Sequence, residues 1–374
     1  MKRLITYLLP AVFFLGLLVP LVNDVGQFWS FDPTTENRNF AKKPVLKLDH
    51  LDAFPDAYEA FFKDWFSFRT PLLDWYHHYK FRFAKVSAHP DKTIIGEGGW
   101  YFISGAEHDT YLGKNDFSEK ELDQFVAEWQ SRDEVFRRLG VKQLLWIIIP
   151  TKHSVYPEFL KKKDKTLTNH RRTQAVIDYL KPSFPNRIVD PLPNMLSAKD
   201  SIKIYQKLDN HWNDVGGFVA ADLLVETVRK QFPSVPKLNA DAFMWKDTVY
   251  PNAFHRNALG ISELTETNQF ATTFQELAVP VDIQRFSPPD WFMERSEFEL
   301  NFAKTDTSGP RILVIRDSFG RSLIPFLKEQ FGQSTFIFDA WKFGLNEDIV
   351  RTIKPDIVVY ATLESNVGSI ISKN

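Results

Sequence analysis

The sequence predicts an α/β protein built around a mainly parallel sheet, and three observations carry that expectation. Four apolar runs, Leu144-Leu145-Trp146-Ile147-Ile148-Ile149, Ile312-Leu313-Val314-Ile315, Thr335-Phe336-Ile337-Phe338 and Ile357-Val358-Val359-Tyr360, lack polar alternation. Strands buried on both faces read this way. Helical segments separate the runs, as parallel crossovers require. The composition, 44% hydrophobic against 25% charged, supplies enough apolar surface for such a core and excludes wholesale disorder.

At the N-terminus, Lys2 and Arg3 precede an uncharged run over residues 4–22. Its length approaches the roughly 20 residues that span a bilayer as a helix. It continues into Asn23-Asp24-Val25-Gly26 with no small-x-small cleavage pattern. An uncleaved signal anchor over residues 1–28 is therefore expected, with the basic end inside and the bulk of the chain outside. Residues 29–92 divide into a polar linker, to about residue 47, and an aromatic amphipathic helical segment. That segment carries Phe61, Phe62, Trp65, Phe66, Phe68, Leu72, Leu73 and Tyr76 at helical spacing, so core packing is expected of it.

The main domain is expected over residues 93–374. Ile94-Ile95, Gly96-Glu97-Gly98-Gly99 and Trp100-Tyr101-Phe102-Ile103 read as strand, turn and strand. Tyr101 stands where a dinucleotide fingerprint needs its third glycine. Ser118 and Glu121 form a capping-box pattern ahead of Leu122, Phe125, Val126 and Trp129, and Gly140 ends that helix. A helix around Ala175 to Leu180 leads to the short strand Arg187-Ile188-Val189. Residues 240–305 are expected to hold an insertion of short strands or loops.

The 46 Lys and Arg balance 47 Asp and Glu, which argues against a nucleic-acid partner. The chain has no cysteine, so disulfides, thiolate metal sites and a cysteine nucleophile are excluded. Neither a metal site nor a cofactor motif is expected.

Sites on parallel sheets form at the carboxyl ends of strands. After Ile315 comes Arg316-Asp317-Ser318-Phe319-Gly320, with Leu323, Leu327 and Phe331 at helical spacing behind. Ser318 at a strand-to-helix turn would expose its hydroxyl beside backbone N–H groups that stabilise an oxyanion. Equally, Asp317 or Ser318 could simply cap the helix. A nucleophilic serine needs a base. His211 lies in Leu208-Asp209-Asn210-His211-Trp212-Asn213-Asp214, two residues after Asp209. In an extended or turned segment both side chains project to one side, so Asp209 could hold Nδ1 and leave Nε2 for the serine. A solvated pair would show the same pattern. His153, after Ile149-Pro150-Thr151-Lys152, is the rival base but has no carboxylate nearby in sequence. His77, His78, His108 and His170 sit in unremarkable surroundings.

Taken together, several segments resemble the AlgJ/AlgX family of alginate O-acetyltransferases. They are Ile95-Gly96-Glu97-Gly98-Gly99-Trp100-Tyr101-Phe102, Pro150-Thr151-Lys152 with Val155-Tyr156-Pro157-Glu158, Tyr205 leading to Asp209-Asn210-His211-Trp212-Asn213, Asp317-Ser318-Phe319, and the closing Lys354-Pro355-Asp356-Ile357-Val358-Val359-Tyr360. Asp64, Phe66, Phe68 and Arg69 fit the family's N-terminal part. The resemblance implies an SGNH-hydrolase-like three-layer αβα domain with Ser318 as nucleophile, His211 as base and Asp209 as its orienting acid. The chain shares the family's order, Asp and His before Ser, which is permuted relative to ordinary SGNH hydrolases.

The resemblance also implies an extracytoplasmic O-acetyltransferase acting on an exopolysaccharide. It would be anchored in the inner membrane, face the periplasm and receive acetyl groups from a multi-pass membrane acyltransferase. Candidate substrate contacts are Lys152, Trp212, Tyr101 and Arg321; Trp212 and Trp341 could stack on a sugar ring, with core packing the other role expected of either. A carbohydrate esterase with the same triad and a non-catalytic polysaccharide-binding subunit are the alternatives. The chain departs from the family pattern at Arg316, where glycine is common, at Asn210, often threonine, and after Glu364, where Asn366 leaves a basic position unfilled.

Overall fold

A computed structural model describes residues 2–26, 28, 40–65, 69–165, 171–249, 253–339 and 342–372. Phe66, Phe68, His170, Trp341 and most of the expected linker lie outside the described residues. The chain divides into two compact units, Met1–Ala88 and His89–Asn374.

The first unit is helical. Helix α1 covers Lys2–Gly26, α2 covers Phe54–Trp65 and α3 covers Arg69–Tyr79. Several α1 side chains are outside the described set, and among the described residues no helix is long and apolar enough to cross a membrane. The expectation of core packing for the aromatic segment is corrected: neither α2 nor α3 buries a described side chain. Their rings stack on one another along the helix instead, because i,i+4 neighbours share a face. Phe54 meets Tyr58 at 5.7 Å and Trp75 meets Tyr79 at 5.6 Å between ring centroids.

The second unit opens with the hairpin β1 (Thr93–Ile95) and β2 (Tyr101–Ile103), registered Ile95 opposite Tyr101. Gly98 and Gly99 both have positive φ, which the tight turn between the strands requires. Helices α4 (Ala106–Tyr111) and α5 (Glu119–Arg138) follow. The capping box at α5 is present: Glu121 Oε2 accepts from the Ser118 N–H at 2.9 Å, and Ser118 Oγ accepts from the Glu121 N–H.

Strand β3 (Gln143–Ile149) is buried along its whole length. After it come α6 (Lys152–Val155), α7 (Arg172–Leu180), β4 (Ile188–Val189), α8 (Leu192–Ala198) and α9 (Asp214–Arg229). The region read as an insertion contains β5 (Phe243–Val249), α10 (Phe254–Leu259) and β6 (Thr267–Thr273), with β5 and β6 forming a separate antiparallel pair. It also supplies β7 (Ala278–Pro280) and β8 (Glu299–Lys304), which extend the main sheet. The chain closes with β9 (Arg311–Arg316), α11 (Ile324–Leu327), β10 (Gln333–Phe338), α12 (Glu347–Ile353) and β11 (Ile357–Leu363).

The seven-stranded sheet runs β4-β3-β11-β9-β10-β8-β7. The five strands from β4 to β10 pair in parallel, and β8 and β7 add antiparallel pairings at one edge. Period-two alternation divides the core between the two faces. Leu145, Ile147, Ile149, Val314 and Val359 pack with Ala221, Leu224 and Val228 of α9. Leu144, Trp146, Ile148, Leu313 and Val358 pack with Phe125, Trp129 and Phe136 of α5. These are three layers, helix on sheet on helix. Each fully buried large apolar side chain contributes about 1.5–3 kcal/mol.

Two glycines let α9 approach its neighbours closely. A Cβ on Gly216 would lie 2.4 Å from the Ile204 carbonyl, and one on Gly217 2.5 Å from the Ser322 carbonyl. Both obstacles are backbone, so neither yields cheaply. Gly217→Ala should lower stability by about 1–3 kcal/mol. Gly344→Ala, whose Cβ would meet nothing within 4 Å, should be close to neutral. Urea midpoints of the two variants check the contrast.

Candidate active site

The parallel strands β9 and β11 end side by side, Ala361 opposite Arg316. The chain leaves β9 through Asp317, and Ser318 begins a 3-10 turn, Ser318–Leu323, that runs into the four-residue α11. The expectation of a regular helix starting at Ser318 is corrected. With one short turn in its place, the helix dipole contributes little, and the N–H groups of the turn itself carry any electrostatic role. Asp317 is fully buried and builds the turn. Its Oδ1 accepts from the Phe319 N–H at 3.0 Å, and its Oδ2 accepts from the Leu363 N–H at 2.7 Å and from Asn366 Nδ2 at 3.4 Å. Ser318 is left half-exposed at the tip.

Arg316, at the usual glycine position, is buried. It donates to the Asp317 carbonyl at 3.2 Å and the Glu297 carbonyl at 3.1 Å and lies over the Phe338 ring. Burial pulls its guanidinium down to about 10, against the opposing charges of Glu297 and Asp317.

The histidine arrives on a loop closed by the bridge between Tyr205 and Trp212. The Gln206 N–H donates to the His211 carbonyl at 3.1 Å, and Asn213 caps α9 by accepting from the Gly216 N–H at 3.1 Å. Asp209 is buried. Its Oδ1 accepts from His211 Nδ1 at 2.6 Å and from the His211 N–H at 3.1 Å, while Oδ2 accepts from the Phe254 N–H at 2.9 Å. Across the gap, His211 Nε2 lies 2.9 Å from Ser318 Oγ. The His211 ring rests against Phe319 at 4.5 Å between centroids. Two motifs a hundred residues apart in sequence thus meet in one continuous hydrogen-bonded line.

The electrostatics follow from these contacts. Burial alone would raise Asp209, but the His211 hydrogen bond and charge and the two backbone N–H groups outweigh it and hold the carboxyl well below its ordinary range. Burial alone would lower His211, but the bond and charge of Asp209, aided by Glu107 and Asp317, raise it above 6.5. Asp209 therefore stays ionised at neutral pH and favours the imidazolium.

The candidate substrate contacts fare differently. Lys152 is 1% exposed, and its Nζ donates to the carbonyls of Gln206 at 3.0 Å, Lys207 at 3.3 Å and Asp209 at 2.6 Å. With three donors committed to the histidine loop, it braces that loop and does not reach a substrate. Burial brings its ammonium down to about 7, with Asp209, Glu266 and Glu107 opposing. Trp212 is also 1% exposed and donates from Nε1 to the Phe319 carbonyl at 2.9 Å, which ties the histidine loop to the serine turn. The indole is sealed inside, in the core role expected as the alternative to stacking on a sugar. Tyr101 is buried near His255. Arg321 alone of the four is exposed, and it pairs with Glu297 at 3.3 Å. The rival base His153 is buried and stacked on His108 and Phe102, and burial with the nearby His108 and Lys152 charges pushes it well below its usual value. Among the described residues no group of His, Cys, Asp or Glu could hold a metal ion.

Sequence reading missed Glu266, Arg171 and Glu107, and of Glu364 it saw only a family position and not the role. Glu364 accepts from the Thr151 N–H at 2.7 Å, from Thr151 and Ser154 hydroxyls, and from Arg171 Nε at 3.0 Å. Glu266 accepts from the Lys207 and Leu208 N–H groups at 2.8 and 2.7 Å. Arg171 reaches Glu364 from a distant segment, and Glu107 bonds Asn210. None sits in a pattern that marks it.

The SGNH hydrolase-like domain of the acetyltransferase AlgX is the family model that matches, over residues 93–334. No curated protein sequence matches the chain. Among solved structures, Bacillus cereus PatB1 with a sulfonyl adduct is similar at a TM-score of 0.53 and 14% identity, covering 75% of this chain and 97% of that one. A DHHW family protein from Eubacterium siraeum is similar at 0.51 and 13%, covering 76% and 96%. The O-acetyltransferase domain of Pseudomonas putida AlgJ gives 0.49 and 18%, covering 76% and 93%.

The Asp209–His211 pair predicts a pH dependence of stability. Asp209 is lowered on folding, so its contribution is present above the ordinary value of 3.8 and is lost as pH falls through the folded value. His211 is raised, so its contribution is present below 6.5 and is lost as pH rises through the folded value. The stability gap between wild type and Asp209→Asn should therefore stay full at about pH 6 and narrow only as pH falls below the ordinary carboxyl value of 3.8, read as urea midpoints at each pH.

Proposed function

Because the chain belongs to the family of the SGNH hydrolase-like acetyltransferase AlgX, we propose that it is an extracytoplasmic O-acetyltransferase that moves acetyl groups onto hydroxyls of a polysaccharide. The observation that carries this reading is the 2.9 Å approach of His211 Nε2 to Ser318 Oγ, with Asp209 on the opposite ring nitrogen. A non-catalytic binding subunit has no need of that alignment.

Ser318 Oγ attacks the carbonyl carbon of an acetyl ester and gives its proton to His211 Nε2. The resulting oxyanion is stabilised at the Ser318 backbone N–H. Collapse breaks the donor C–O bond, and the imidazolium returns its proton to the leaving oxygen. A sugar hydroxyl then attacks the acetyl-serine carbonyl while His211 takes its proton. Collapse releases Ser318 Oγ, which recovers that proton. Asp209 remains ionised throughout and holds the ring in the tautomer that leaves Nε2 free. In this reading the acetyl donor is delivered by a multi-pass membrane acyltransferase, and the acceptor is an exopolysaccharide.

Helix α1 is the inner-membrane anchor in the same reading. Its 25 residues make a rod of about 37 Å at 1.5 Å per residue. The described side chains Leu8, Leu9, Val12, Phe13, Phe14 and Leu15 are exposed apolar groups that lipid would cover. The full chain should stay with membranes through alkaline extraction, and a chain lacking residues 1–28 should be released. Equal retention of both would overturn the single-anchor reading.

Ser318→Ala and His211→Ala should each lower acetyl transfer from an artificial ester by up to about 10⁶-fold, and Asp209→Asn by about 10⁴-fold. The rate should rise with pH through the His211 value, above 6.5, because only the neutral ring accepts the serine proton. Adding an oligosaccharide should divert acetyl from water to sugar, measured by mass spectrometry of the products. Triad-dependent release of acetate with no effect of the acceptor would assign an esterase instead. Wild-type turnover by Ser318→Ala would overturn the mechanism.

A further inference from the structure

The geometry points to Glu107 as a positioning residue for His211. From the first turn of α4 it holds Asn210, the residue between Asp209 and His211, and adds a second negative charge to the surroundings of the imidazole. The inference rests on the triad reading above and extends it to a residue outside the triad.

Glu107 is 6% exposed. Its Oε1 accepts from Asn210 Nδ2 at 3.1 Å, so the amide between the acid and the base is tied to a rigid element. Its Oε2 is buried and has no hydrogen-bond partner among the described residues. A buried carboxylate oxygen left unpaired is costly unless something else is gained. Lys152, a buried cation whose charge reaches Glu107, spends its three donors on backbone carbonyls of the histidine loop. Through Asn210, Glu107 is tied to the residue next to His211, whose charge it meets without a bond.

The neighbouring charges can be counted element by element. The histidine loop presents His211 to Glu107, α6 presents Lys152, and the 3-10 turn Glu364–Ile370 presents Glu364. The histidine loop also brings Tyr205, whose phenol meets the charges of Glu107 and Glu364. His211 in turn faces Asp209, Glu107 and Asp317. His255 on α10 faces Lys152, Asp209 and His153. Burial, reinforced by Glu364, pushes the Glu107 carboxyl up to about 7, against the Asn210 bond and the charges of His211 and Lys152. Glu107 therefore changes charge in the pH range where His211 works. Ionised, it stabilises the imidazolium that forms as Ser318 loses its proton. In either state it keeps an acceptor for Asn210.

Isosteric substitution separates the two roles. Glu107→Gln keeps an acceptor for Asn210 and removes the charge, while Glu107→Ala removes both. The experiment is a proton–carbon NMR titration of the histidine Cε1 groups in the full chain, with the His211 resonance identified by its loss in His211→Gln. In Glu107→Gln the measured His211 pKa should fall by about half a pH unit or more, and the acid limb of kcat/KM should move the same way with KM for the donor unchanged. Glu107→Ala should show that shift together with a fall in kcat of about tenfold as the loop loosens. Asn210→Ala alters only a half-buried side chain and takes away the bond that favours the ionised carboxyl. It should also lower the His211 value, so the inference stays testable if the Glu107 variants fold poorly.

A His211 pKa unchanged in both Glu107→Gln and Asn210→Ala would overturn it. The titration can be read without turnover. A shifted His211 beside an active Ser318→Ala protein would refute the triad and leave the Glu107–His211 coupling standing. An unshifted His211 beside an inactive Ser318→Ala protein would do the reverse.

Discussion

A buried ammonium group holding three backbone carbonyls is the contact on which the site depends. Lys152 Nζ binds the carbonyls of residues 206, 207 and 209, while Glu266 takes the N–H groups of residues 207 and 208 from the other side. A loop with no regular secondary structure must satisfy its backbone polar groups somehow. Here two oppositely charged side chains do so, and each lowers the cost of burying the other's charge. Removing one partner from such an arrangement typically costs about 3–5 kcal/mol, because the other charge stays buried. That penalty keeps the loop in a single conformation, and Asp209 and His211 have a fixed position only because the loop does.

The other half of the site is held by the strand ends on the same edge of the sheet. Asp317 joins the serine turn to the end of β11 through the Leu363 N–H and Asn366. Just beyond, Glu364 gathers Thr151, Ser154, Thr173 and Arg171 into one buried cluster. Thr151 immediately precedes Lys152, so the two braces share one segment. The Trp212 indole closes the ring by binding the Phe319 carbonyl. The 2.9 Å spacing between His211 and Ser318 is thus set by a connected set of buried polar bonds. Such networks are rigid when fully satisfied, and rigidity is what a nucleophile and base need to stay aligned.

The corrections share a cause. Lys152, at the end of the run that forms β3, Trp212, next to His211, and Tyr101, in the hairpin, were expected at a substrate, and all three are buried. Nearness in sequence to a site does not tell which side of the backbone a side chain occupies. The turn after Ser318 was expected to be a full helix from the spacing of Leu323, Leu327 and Phe331. Those residues are indeed buried, but the 3-10 turn and the four-residue α11 place them on the core without a continuous α-helix. The aromatic segment at residues 54–83 has helical periodicity and is helical, yet its rings stack along their own helices. Periodicity determines which side chains share a face and is silent about what covers it.

The sequence by itself determined the elements whose physics is local or periodic. Uninterrupted apolar runs marked β3, β9, β10 and β11, the Ser118–Glu121 pair marked the start of α5, and the glycine pair marked the hairpin turn. The Asp-x-His spacing also determined that Asp209 and His211 can share one side of the chain, since two residues apart is a short-range relation. Tertiary structure decided everything that needs distant segments to meet. Ser318 lies 107 positions from His211, Arg171 lies 193 from Glu364, and Asn210 lies 103 from Glu107. No local propensity encodes such pairings. They are set when the two faces of the sheet are covered, because the packing of α4, α6 and α9 then leaves each buried charge only the partners that the fold brings to it.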